Sequence, residues 1–110
     1  MGKFVKGDVV VVPFPFTDFS EYKRRPALVV TSLSGDDVIL CMITTRSKID
    51  QYSVNLSSVD FSDGGIAEES IIRPNKLFTA DSNRILSKKG SLIKNKIDEV
   101  VNRIIQIVRV

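Results

Sequence analysis

The sequence predicts a mainly β domain, a small and strongly curved barrel capped by one C-terminal helix. Two observations carry this. Up to residue 92 the apolar residues come in short runs rich in Val, Ile, Phe and Thr, broken by turn signals such as "SGDD" (34–37) and "SDGG" (62–65). Beyond residue 93 the period changes: Ile97, Val100, Val101, Ile104, Ile105 and Val108 recur at three- and four-residue steps, the stripe of an amphipathic helix over 93–107. With 110 residues the chain suits one domain, 1–110, and is too short for two.

Taken in order, "DVVVVPF" is a β-branched strand ending at Pro13, which offers no amide to a ladder, and "PALVVTS" is a second strand opened by Pro26. After the turn at 34–37, "VILCMITT" (38–45) returns as the second arm of a hairpin. The near-continuous apolar character of these two strands implies cover on both faces. "YSVNL" (52–56) alternates and reads as half-buried, while "ESIIRPNKLFTAD" (69–81) and "RILSKKGSL" (84–92) supply further short extended pieces. The first turn of the helix carries Lys94 and Lys96, the wrong sign for that end of the helix dipole, so packing must hold the helix in place.

Composition excludes several chemistries. The chain has no histidine and a single cysteine, Cys41, which removes Cys/His zinc sites, internal disulfides, Ser-His-Asp and Cys-His nucleophiles and imidazole acid–base catalysis. Cys41 stands in "VILCMI" and reads as a small buried hydrophobe. No apolar run is long enough to cross a bilayer, and the N-terminal segment lacks signal-peptide features, so a cytoplasmic location without a membrane partner is expected. The formal net charge of +3 is unevenly spread: residues 1–30 carry five cations and three anions, 31–70 two and seven, 71–110 nine and three. Local basic patches of this kind favour an anionic partner such as a nucleic acid.

The stretch "FTDFSEYKRRPALVVTS" (16–32) concentrates that charge, with Lys23, Arg24 and Arg25 between an aromatic loop and a strand. Cations beside Phe14, Phe16 and Phe19 suit a single-stranded nucleic acid, which needs charge for phosphates and flat faces for bases. The same aromatics also suit a satellite core beneath the loop.

In this order, "GDVVVVPFPFTD", "KRRPALVV", "ITT" and "RPNKLFTAD", followed by a C-terminal helix, resemble the MazF/PemK family of toxin endoribonucleases. The resemblance runs from Gly7 to the final helix. It implies an SH3-like barrel of the CcdB/MazF/PemK type acting as a homodimer. It also implies sequence-specific, metal-independent cleavage of single-stranded mRNA without a cofactor, and silencing by a cognate antitoxin. The catalytic arginine of the family falls on Arg25, with Arg24 just outside the match; its catalytic threonine or serine falls on Thr44, with Thr45 adjacent. In the Kid/PemK branch a second arginine is followed two residues later by an aspartate. Arg73 matches the arginine, but Asn75 stands at the acid, and the early histidine of that branch is missing. Phe16, Glu21, Lys23 and Arg24 fall in the RNA-binding loop region, although its usual Gln and Gly are absent. Thr45, Arg46, Lys48, Asn75 and Lys76 complete the expected RNA-binding set.

The chemistry of these residues is consistent with such a reaction. When a 2′-hydroxyl attacks its own phosphodiester, the developing phosphorane charge must be stabilised, and the planar donor forks of Arg25 and Arg73 are suited to that. Guanidinium groups are poor proton donors, with pKa above about 12, and a threonine hydroxyl is a poor base, so Thr44 is expected to orient rather than to titrate. The expected products are a 2′,3′-cyclic phosphate and a 5′-hydroxyl. Two other readings share the barrel: a CcdB-like gyrase poison, against which the matched arginine argues, and a catalytically inactive barrel that binds RNA or an antitoxin.

Overall fold

Residues 3–14 and 23–110 are described by the computed structural model, Phe14 and Lys23 by backbone alone. Seven strands form one antiparallel sheet: β1 (Asp8–Phe14), β2 (Lys23–Ser32), β3 (Asp37–Thr45), β4 (Val54–Leu56), β5 (Phe61–Gly64), β6 (Ser70–Asp81) and β7 (Ser87–Leu92), in the order β4-β6-β3-β2-β1-β7-β5. The sheet curls into a half-barrel, and helix α1 (Lys94–Arg109) packs against it. The expected β barrel with a terminal helix is thus the observed fold, the helix beginning one residue later and ending two later than its sequence periodicity marked.

The curl follows from irregular pairing. Register shifts interrupt β1–β7 between Val9 and Val10, β2–β3 between Val29 and Thr31, β3–β6 between Cys41 and Met42, and β5–β7 between Phe61 and Asp63. Each shift bends and twists its strand locally, which lets one sheet wrap round a core. Strand β1 continues through Pro13 to Phe14 rather than ending at the proline. Its pairing with β7 stops at Val11, so Pro13 lies where only β2 is a neighbour and its missing amide donor is tolerated. The segment read as short extended pieces around 69–81 is one strand of 12 residues. Its pairing with β3 jumps from Leu77 to Arg73, so Pro74 falls in the bulge and breaks nothing.

Strands β2 and β3 are covered on both faces, as their apolar runs require. On one face Leu28, Cys41 and Ile43 join Val9, Val54, Leu56, Ile72, Leu92 and Val100 of α1. On the other, Ala27, Val29, Val38 and Leu40 join Val10 and Val12. Two glycine positions set the seams. Gly7 has a φ of 97°, donates to the Val29 carbonyl at 2.9 Å and accepts from the Leu92 amide at 2.9 Å, and a Cβ there would strike Ile97 of the helix. Gly64 pairs with Gly90, and a Cβ on either would run into the backbone of the other strand, so β5 lies closer to β7 than ordinary side chains allow.

The helix start has no side-chain cap at Ile93. Lys96 is instead anchored to Asp60 at 3.7 Å, to Glu99 at 3.0 Å and to the Asn55 carbonyl at 2.9 Å, and Lys94 pairs with Asp98 at 2.8 Å. These carboxylates offset the unfavourable sign of the first turn. Among the described residues no helix is long and apolar enough to cross a membrane.

Candidate active site

The sheet brings the expected arginine and threonine together by register. The β2–β3 ladder ends at the pair Ala27–Met42; two residues further along each strand lie Arg25 and Thr44, and one step beyond them Arg24 and Thr45. Alternation puts Arg25 and Thr44 on the face of Ala27 and Met42, and Arg24 and Thr45 on the face of Leu28 and Ile43. All four residues line one open cleft of about 520 Å³ at the ends of these strands. Its lining includes the apolar Val11, Pro26, Ile43 and Ile66 and the polar Ser70, Ser87, Glu68 and Lys89. The Thr45 hydroxyl is shared with Ser47 at 2.8 Å, while among the described residues the Thr44 hydroxyl makes only a long contact of 3.5 Å to the Thr45 carbonyl. Thr44 therefore keeps most of its hydrogen-bonding capacity for a ligand.

Arg73 lies elsewhere. It pairs across the ladder with Met42, on the sheet face of Thr44, but is not among the residues lining the cleft. Its guanidinium is bound to Asp50 at 2.9 Å, and its Nε is buried with no partner among the described residues. The Tyr52 backbone amide, together with the Ser53 hydroxyl and the Arg73 guanidinium, holds the Asp50 carboxyl below its usual pKa against partial desolvation. The pair ties the segment after β3 to β6. Asn75 and Lys76 are exposed in the bulge of β6 and are not among the residues lining this cleft. Arg46 and Lys48 are exposed on the 3-10 turn after β3, where Arg46 pairs with Glu69 at 3.3 Å. Phe16 and Glu21 and the side chain of Lys23 lie outside the described residues, as do Phe19 and the side chain of Phe14.

Two charged residues of the cleft, Glu68 and Lys89, are absent from the set that the sequence points to. Their identities as charged loop and strand residues carry no signal by themselves. What places them is the sheet order, which sets β7 beside β1 and β1 beside β2, and the Gly64–Gly90 contact, which holds the segment leading to Glu68 against β7. The Gly65 amide donates to the Lys89 carbonyl at 3.2 Å, and the Ser70 hydroxyl to the Glu68 carbonyl at 3.1 Å. Cys41 is fully buried, and desolvation pushes its thiol up to about 12 against a weaker pull from the Arg73 backbone amide, so it is no nucleophile. Among the described residues no group of three or more acidic, Cys or His side chains is placed to hold a metal ion.

Comparison with known proteins places this geometry in context. Residues 5–108 match the family model described as "PemK-like, MazF-like toxin of type II toxin-antitoxin system". A search of curated proteins finds no match. Among solved structures, MazF from Deinococcus radiodurans superposes with a TM-score of 0.75 at 18% identity, covering 97% of each chain. The Mycobacterium tuberculosis toxin MazF-mt6 gives 0.73 at 15% identity, over 94% of this chain and 97% of that one. A mycobacterial endoribonuclease solved in complex with its cognate antitoxin gives 0.72 at 12% identity, over 97% and 96%. At these identities the structural likeness speaks for the fold.

Proposed function

The chain belongs to the family of PemK-like, MazF-like toxins of type II toxin–antitoxin systems, and from that premise we propose that it is an endoribonuclease. In this reading it cuts single-stranded mRNA at a preferred sequence, without a metal ion, leaving a 2′,3′-cyclic phosphate and a 5′-hydroxyl. The observation that carries the proposal is that Arg25 and Thr44, from the neighbouring strands β2 and β3, line one open cleft with Arg24 and Lys89. Arg25 offers a fork of donors to the non-bridging oxygens as charge builds on phosphorus, Thr44 orients the 2′-hydroxyl or the phosphate, and Arg24 steers the strand. Arg73, held by Asp50 on the sheet face of Thr44, is the second arginine of this reading. The working unit is a homodimer held silent by a cognate antitoxin; a related mycobacterial endoribonuclease has been solved with such a partner.

The test is digestion of a long, mixed-sequence single-stranded RNA by purified protein in chelator, with end-group analysis of the products. Wild type is expected to yield cyclic-phosphate and 5′-hydroxyl ends. Arg25→Ala is expected to lose roughly 10²–10³-fold in rate, the cost of removing one oxyanion donor. An intact RNA with wild type, or undiminished cutting by Arg25→Ala, sinks the proposal.

A further inference from the structure

We infer that Glu68 and Lys89 are the proton-transfer pair of the cleft, Glu68 taking the proton of the attacking 2′-hydroxyl and Lys89 supplying one to the departing 5′-oxygen. This rests on the endoribonuclease reading and fills the step that Arg25 and Thr44 leave open, since neither a guanidinium nor an aliphatic hydroxyl removes a proton near neutral pH.

Four facts single out these two side chains. Both line the cleft with Arg25 and Thr44. The next acid, Glu69, is engaged by Arg46 at 3.3 Å and is not a cleft residue, whereas the Glu68 carboxylate has no hydrogen-bond or ion-pair partner among the described residues. Likewise Lys88 is drawn to the buried Asp8 at 3.3 Å, whereas Lys89, skipped by the register shift between β1 and β7, lines the cleft. Finally, the 3.2 Å bond from the Gly65 amide to the Lys89 carbonyl fixes the strand of the lysine against the segment that presents the acid. The two groups thus enter from the β6 and β7 sides, with the arginine and threonine between them on β2 and β3.

The step balances without a further reactant. The 2′-O–H bond breaks as its proton passes to a Glu68 carboxylate oxygen, and the freed electron pair forms the bond from O2′ to phosphorus. The P–O5′ bond breaks with its pair on O5′, which accepts a proton from the Lys89 ammonium. A lysine suits this better than an arginine, because an ammonium is a stronger acid than a guanidinium. Proton exchange with water returns Glu68 to carboxylate and Lys89 to ammonium.

The experiment uses the RNA digestion in chelator, then a short oligonucleotide spanning one mapped cut. Glu68→Gln is expected to slow cutting by roughly 10²–10⁴-fold, the usual worth of general acid–base catalysis. Its affinity for the uncleavable 2′-deoxy oligonucleotide should not fall, so that the loss is one of rate and not of binding. Lys89→Ala should be slow on the normal oligonucleotide and recover on one whose 5′-bridging oxygen is replaced by sulfur, a leaving group that needs no proton. Near-wild-type cutting by Glu68→Gln, or a Lys89→Ala defect equal on both oligonucleotides, overturns the inference while leaving the endoribonuclease reading standing. Absence of any cutting by wild type overturns both.

Discussion

At the scale of single residues, the chemistry of a side chain here is decided by which layer its strand position reaches. Cys41 and Thr44 are three residues apart on β3, yet the first is sealed in the core and the second opens on the cleft. The cysteine was legible in the sequence because its apolar neighbours announce burial. Thr44 was legible only through the motif around it, since a threonine in a strand is unremarkable in composition. The burial of Cys41 has a measurable consequence. A thiol raised to about 12 in the folded chain binds its proton more tightly than the same thiol unfolded, whose ordinary value is near 8.5. Its contribution to stability is therefore complete below that unfolded value and declines as pH rises from there toward about 12. Denaturant midpoints of wild type are expected to fall over this alkaline range more steeply than those of Cys41→Ala, and a thiol reagent should label Cys41 only as fast as the protein opens. Rapid labelling under native conditions would show that the core at β3 is not closed.

At the scale of elements, periodicity found the helix and the first three strands, and local signals failed where the reason for a strand is its partner. Nothing within 69–81 announces an unbroken strand, because Pro74 looks like a stop until β3 supplies a bulge around it. For α1 both the stripe and the problem, a basic first turn without a cap, are legible in the sequence. The solution lies in Asp60 and the Asn55 carbonyl, which come from a distant part of the chain. The helix therefore depends on docking more than on its own propensity, and Val100, at 1% exposure, is its deepest anchor. Val100→Ala is expected to cost about 2 kcal/mol, two buried methyl groups plus the space they leave. Lys94→Ala, which removes an exposed pair with Asp98, should change stability by less than about 0.5 kcal/mol. Urea unfolding with an unchanged slope would check both. Equal effects would mean that surface pairing, not packing, holds the helix.

At the scale of the whole molecule, the uneven charge along the chain becomes a spatial arrangement. The basic N-terminal third supplies Arg24 and Arg25 from β2, the basic C-terminal third supplies Lys89 from β7, and the acidic middle supplies Glu68. Strand β1 alone separates β2 from β7, so residues more than sixty positions apart converge on one cleft. The charge blocks were visible in the sequence; their meeting was not, because it requires the sheet to return β7 to the far side of β1. This convergence predicts how the molecule answers to salt. If Arg24, Arg25 and Lys89 each neutralise one phosphate of a single strand, log K for a 2′-deoxy oligonucleotide should fall with log salt at a slope near −2, from about −0.7 per phosphate contact. Lys89→Ala should make that slope shallower by about 0.7, whereas Lys94→Ala, on the exposed helix start, should leave it unchanged. Fluorescence-anisotropy titrations from low to physiological salt give both slopes. An unchanged slope in Lys89→Ala would place the bound strand on another surface, because an exposed lysine that touches a phosphate must release a counterion when it does so.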